Sequence, residues 1–165
     1  MNDMEGLFGN AVKRKNKKDM KKKLKGWKSN VEGYIEISYI ERKLRNFIEN
    51  RLNDVYGDKW ENQIPKKVKE SCREWRKKVE DSSKVENSSQ SLSLLHYATL
   101  RELGDTMKEN WENVFRDNFE KKSHIITKPI EDLIPLRDKI SHNRKIDRSE
   151  LKVLKKNIEA IIEKL

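Results

Sequence analysis

Apolar positions recur along this chain at steps of three and four residues and never alternate convincingly at period two. Ile37, Ile40, Leu44, Phe47, Ile48, Leu52 and Val55 mark one face of a long helix over about 33–55. Gly57, just past that face, suits a helix C-cap. Pro65 can open a second helix carrying Val68, Cys72, Trp75 and Val79, to about residue 80. Thr99 and Glu102 form a capping box for a helix of about 100–117, with Leu100, Leu103, Met107, Trp111, Val114 and Phe115 inward. Residues 118–127 read as a connection. Ile130, Leu133, Ile134 and Ile140 define the next helix, with Pro129 near its start and Pro135 expected to kink it. A second capping box, Asp147 and Glu150, opens a final helix through Leu151, Leu154, Ile158, Ile161, Ile162 and Leu165. The pattern predicts an all-α bundle of about five helices, without internal repeats.

The bundle occupies 31–165, a single domain. It is interrupted by a Ser-rich, aperiodic loop over 81–91. Neither side of that loop has enough apolar sequence to fold alone. Residues 1–30 read as a basic arm. Of 165 residues, 40% are charged and 34% hydrophobic, and the formal net charge is +10. The excess is local. Residues 11–30 hold Lys13, Arg14, Lys15, Lys17, Lys18, Lys21, Lys22, Lys23, Lys25 and Lys28 against Asp19 alone, a local charge of +9. Such an arm attracts a phosphate backbone through counterion release, without reading sequence. Met20, Leu24 and Trp27 fall at helical spacing, so the arm can form a basic amphipathic helix. A membrane surface, an acidic protein or a solvated tail remain open at this stage.

Several classes are set aside. No run approaches the length of a membrane span, and the N-terminus has no apolar signal core, so a cytoplasmic protein is expected. Cys72 is the one cysteine, which removes an internal disulfide framework and a Cys-based zinc site; its place on an apolar face marks it as packed rather than reactive. There is no Gly-rich phosphate loop, no Gly-x-Ser-x-Gly and no His-Glu-x-x-His. No metal or cofactor is expected.

One segment combines groups suited to phosphodiester chemistry: Arg137, Asp138, Lys139, Ile140, Ser141, His142, Asn143 and Arg144. Histidine transfers protons near neutral pH. Arginine offers a permanent planar donor for a phosphate. His142 would take the 2′-OH proton or protonate the leaving 5′ oxygen, and Arg137 would stabilise charge on the phosphate. Asp138, Ser141, Asn143 and Arg144 would orient those groups or contact the RNA backbone. Five residues on a regular helix lie about 140° apart. Arg137 and His142 therefore meet only if the helix ends near Ser141, with Asn143 as its stop, or if a dimer brings two segments together. The competing structural reading pairs Arg137 with a nearby acid and uses His142 to cap helix carbonyls.

An Arg, a polar residue, three more residues and a His near the end of a helix in a small all-α bundle resembles the signature of HEPN domains. The likeness extends to Glu41, Arg42, Lys43, Leu44, Arg45, Asn46, Phe47 and Ile48, then Leu52, Tyr56, Gly57 and Trp60. It continues through Leu95, His96, Tyr97 and Leu100 to Asn110, Trp111, Glu112, Asn113, Val114 and Phe115, and covers about 33–165. The resemblance implies a metal-independent endoribonuclease of the kind found in toxin–antitoxin, abortive-infection and RNA-processing systems. Arg137 and His142 would be its catalytic pair and Asp138 the supporting polar residue. It implies a homodimer with a composite cleft, RNA as substrate and an antitoxin or regulatory protein as a further partner. Some members have lost catalysis and serve as binding modules beside another enzyme, which is the alternative reading here. A basic DNA-binding helical protein is a third, weakened by the lack of a recognition-helix pattern. Pro135 departs from the family's pattern. Glu41 and Arg45, one turn apart, are placed so that they could pair on the first helix, and they read as structural. Trp60, Trp75 and Trp111 read as core or dimer-face aromatics. His96 and His124 read as local polar contacts or second proton donors.

Overall fold

The computed structural model describes the backbone of residues 14–82 and 92–165 and the side chains of 27–81 and 92–165. Five α-helices are found among them: α1 (Arg14–Tyr56), α2 (Lys66–Ser82), α3 (Leu100–Glu109), α4 (His124–Ser141) and α5 (Arg148–Ile162). No strand occurs among the described residues. The architecture is the all-α bundle that the apolar spacing predicts. Residues 1–13 of the basic arm and 83–91 of the Ser-rich loop lie outside the described residues.

α1 is the spine. Ile37, Ile40, Leu44, Ile48 and Leu52 form its buried face, and Phe47 packs partly against the core. The helix starts at Arg14, well upstream of the expected residue 33, so the backbone of 14–30 continues the same helix. It ends where Gly57 takes a left-handed φ of 56°, a conformation that costs glycine little. A 3₁₀ turn (Gly57–Gln63) then leads to Pro65, whose carbonyl accepts the Lys69 N–H at 2.9 Å as α2 begins. Val68 and Cys72 of α2 are buried. Trp75 and Val79, expected on the same inner face, are exposed, as is Val55 on α1. Ile162 and Leu165 at the end of α5 are exposed too. In each helix the inward stripe is narrower than periodicity implies, because only part of the helix has a neighbour to cover it.

A second 3₁₀ turn (Leu94–Tyr97) is held to α1 by Arg45, whose Nε donates to the Leu95 carbonyl at 2.7 Å. Its Nη2 reaches the Ala98 carbonyl at 3.4 Å. The Thr99–Glu102 capping box forms, with the Thr99 N–H donating to Glu102 Oε2 at 2.7 Å. The helix expected over 100–117 keeps α geometry only to Glu109 and then continues in π and 3₁₀ form. Asn110 is buried, and its Nδ2 donates to the Gln63 carbonyl at 2.9 Å and the Thr106 carbonyl at 3.0 Å. A wide turn (Trp111–Phe115) and a 3₁₀ turn (Arg116–Phe119) follow, placing Phe115 and Phe119 against Phe47.

α4 begins at His124, inside the stretch expected to be a connection, and runs continuously through Pro129 and Pro135 to Ser141. A proline inside a helix costs about 3 kcal/mol, and burying each aliphatic side chain returns about 1.5–3 kcal/mol. α4 buries Ile126, Ile130, Leu133 and Ile140 on both sides of its prolines, so burial outweighs the breaks. α5 opens on the Asp147–Glu150 capping box and buries Leu154, Ile158 and Ile161.

Candidate functional site

α4 lies antiparallel to α1, and its C-terminal end carries the Arg137–His142 segment. Three contacts fix the register. Arg137 Nε donates to Glu41 Oε1 at 3.1 Å. A Cβ built on Gly33 would stand 2.8 Å from Ile140 Cδ1, so the two helices approach closely there. Asn30 Nδ2 donates to the Arg144 carbonyl at 2.8 Å. Glu41 thus turns to Arg137, 96 residues away, rather than to Arg45 one turn along its own helix. Arg45 is spent on the Leu95 and Ala98 carbonyls, and burial pulls its pKa below the ordinary arginine value.

The guanidinium of Arg137 is held from two sides. Besides Glu41, Asp138 Oδ1 lies 3.4 Å from Nη1, and the Arg137 side chain keeps about a quarter of its surface open (26%). Lys139, inside the same segment, bonds Glu150 Oε1 at 2.6 Å and ties α4 to α5. That bond, then the Asp147 N–H, holds the Glu150 carboxyl below its usual range.

The helix ends at Ser141 with a Schellman arrangement. Asn143 adopts a left-handed φ of 53°, which asparagine tolerates better than most residues. Its N–H donates to the Ile140 carbonyl at 3.0 Å, and the Arg144 N–H donates to the Lys139 carbonyl at 2.8 Å. The His142 N–H bonds the Asp138 carbonyl at 3.0 Å. These backbone bonds cap the helix, so the His142 imidazole is not needed there. It is exposed and makes no hydrogen bond or ion pair with another described residue. Of the two parts of the structural reading, the acid partner of Arg137 is present and the capping role of His142 is not. Along one helix Arg137 and His142 are separated by about 7.5 Å of rise and about 140° of rotation. The guanidinium bonds Glu41 on α1, while His142 is exposed just past the end of α4.

Asn30 is a residue that the sequence reading does not single out. It is buried, and both ends of its amide are used: Oδ1 accepts the Ile146 N–H at 3.0 Å while Nδ2 holds Arg144. It pins the segment that follows His142 to α1. The signal was available, because Asn30 and Gly33 continue the inward phase of Ile37, Ile40 and Leu44. A polar amide in that phase must find partners.

The expected backbone contacts Ser141, Asn143 and Arg144 are exposed beside His142. The backbone of Arg14, Lys15, Lys17, Lys18, Lys21, Lys22 and Lys23 belongs to α1, and their side chains lie outside the described residues, as does Lys13 entirely. His124 opens α4 and His142 follows it, about 27 Å away along the helix, so the two cannot serve one phosphate within a protomer. His96 is exposed in its 3₁₀ turn. Trp60 and Trp111 pack partly against the core, and Trp111 stacks on Phe119 at 5.7 Å. Among the described residues no group of three or more His, Cys, Asp or Glu is placed to hold a metal ion, and no helix is long and apolar enough to cross a membrane.

A family model described as Swt1-like HEPN matches residues 36–165. No curated protein and no solved structure matches the chain significantly. HEPN domains are often ribonucleases that bind RNA and dimerise, which gives the chain a nuclease- or RNA-related setting. With most of its length under that match and five helices in an all-α bundle, this chain belongs to the HEPN family, in its Swt1-like branch.

Proposed function

We propose that this protein is a metal-independent endoribonuclease that cleaves RNA by attack of the substrate's own 2′-OH. One observation carries the reading. A guanidinium anchored by Glu41 and Asp138 and an exposed imidazole without a hydrogen-bond or ion-pair partner among the described residues stand at the same helix end of a HEPN domain. The 2′ oxygen bonds to phosphorus and the bond to the 5′ oxygen breaks, leaving a 2′,3′-cyclic phosphate and a 5′-OH. One proton leaves the 2′-OH and one reaches the departing oxygen. His142 performs one of these transfers, and His142 of a second copy supplies the other in a homodimeric cleft. Arg137 neutralises charge on the non-bridging oxygens, with Glu41 and Asp138 fixing its plane. Ser141, Asn143 and Arg144 contact the backbone, and the basic residues from Lys13 to Lys28 draw RNA in. The proposed setting is the cytoplasm, as a toxin or defence effector restrained by a protein partner.

The half-buried Glu41–Arg137 pair favours a second reading, an inactive module that binds RNA or protein. The purified protein and its His142→Ala variant, incubated with mixed RNA in EDTA and followed by end-group analysis, separate the two. Catalysis predicts cyclic phosphate ends and a loss of about 100-fold or more in the variant at unchanged fold. It also predicts no cleavage of DNA. Equal cleavage by both proteins, or binding without cleavage by both, refutes it.

A further inference from the structure

α1 exposes a stripe of large side chains on the flank that borders the end of α4. Trp27 is 39% exposed, Val31 59% and Tyr34 63%. Spaced at four and three residues, they share one face of the helix. With Asn30, Ile140 and Asn143 they line a groove of about 250 Å³. The two rings are two turns apart, about 10.5 Å along the axis, and Val31 lies between them. Asn143 is the residue directly after His142, so the groove opens beside the candidate catalytic segment. All three stripe residues precede the stretch that the family model matches.

We propose that this face is a stacking platform for single-stranded RNA, with bases laid on Trp27 and Tyr34 and the following phosphate led toward His142. The inference deepens the ribonuclease reading and rests on it for the nature of the ligand. Charge complementarity selects the occupant. The platform sits within and just beyond a stretch, 11–30, whose twenty residues carry +9, and from Arg14 onward that stretch belongs to α1. A polyanion that also offers flat π faces satisfies both features at once. A second copy would bring another such cationic stretch to the interface.

The test uses the full-length protein with a fluorescent, 2′-O-methylated single-stranded oligonucleotide, which cannot be cleaved, so binding is read apart from catalysis. Trp27→Ala/Tyr34→Ala is expected to weaken binding by about tenfold or more, since each stacked base contributes on the order of 1–3 kcal/mol. The slope of log affinity against log salt should stay as in the parent, because no charge is removed. Circular dichroism should be unchanged, both rings being exposed. Parent-like affinity in the double variant, or preference for a duplex of the same length, overturns the proposal. So does a double variant that loses self-association in sedimentation, or one that loses binding to anionic phosphatidylserine vesicles while it still binds RNA. Loss of binding in the double variant beside an absence of cleavage by the parent would uphold the platform and defeat the nuclease reading alone.

Discussion

Replacing Asn30 with alanine removes two hydrogen bonds that join α1 to the chain just after His142. The donor bond reaches the Arg144 carbonyl at 2.8 Å and the acceptor bond takes the Ile146 N–H at 3.0 Å. Ile146 is 1% exposed, so its N–H is left without water or partner when the amide goes. A hydrogen bond contributes about 0.5–1.5 kcal/mol net, and a buried orphan donor costs about 1–3 kcal/mol. Together the change should destabilise the fold by about 2–4 kcal/mol, a large share of the roughly 5–15 kcal/mol that holds a domain together. For a chain of this size that corresponds to a fall in Tm of about 4–16 °C. Asn30→Asp should do no better: it keeps the acceptor for Ile146 but sets a carboxylate against the Arg144 carbonyl. Thermal unfolding followed by circular dichroism reads the first quantity, and hydrogen exchange of the Ile146 amide reads the local one. The amide should exchange slowly in the parent and much faster in the variant. A variant that melts with the parent and keeps Ile146 protected would refute the reasoning, because the clamp would then contribute nothing.

Two further outcomes follow from the same structure. Burial pushes the Cys72 thiol up to about 11, so iodoacetamide should leave it unlabelled in the folded protein and label it once urea unfolds the chain; labelling of the native state at a free-thiol rate would contradict this. On the acid side, the hydrogen bond from Lys155 holds Glu32 below its ordinary 4.5, and the one from Lys139 does the same for Glu150. A carboxylate with a depressed folded value stabilises above its ordinary value and loses that contribution as pH falls through the folded one. The urea midpoint should therefore be level down to about pH 5 and drop below about pH 4.5, with Lys155→Met shrinking the drop; a midpoint unchanged at about pH 3 would rule this out.

What could be read from the chain was what local chemistry decides. Thr99 with Glu102 and Asp147 with Glu150 are capping boxes whose ends lie three residues apart, and both form as their spacing demands. Gly57 and Asn143 take the left-handed conformations that end their helices. The apolar phase of α1 located Ile37, Ile40, Leu44, Ile48 and Leu52 in the core. The segment from Arg137 to Arg144 was visible because its residue types suit phosphate chemistry. Tertiary choices were not visible. Asn110 stops α3 by bonding Gln63, 47 residues earlier. Glu41 prefers Arg137 over the nearer Arg45 because folding brings a second helix alongside and commits Arg45 to two carbonyls. α4 survives Pro135 because its buried residues flank the break on both sides. The placement of Asn30, Trp27 and Tyr34 beside the end of α4 depended on knowing which flank of α1 that end would lie against.

The seam between α1 and α4 also bears on where the folding unit begins. The family match starts at residue 36, yet Asn30 and Gly33 lie upstream of it, and Gly33 admits Ile140, Ile146 and Leu154 to close range. A fragment cut at the homology boundary would keep Arg137 and His142 in sequence while discarding the clasp behind them. The family-matched segment and the packing of α1 against the end of α4 thus start at different residues, and the earlier start includes the two bonds from Asn30 that hold the chain after His142.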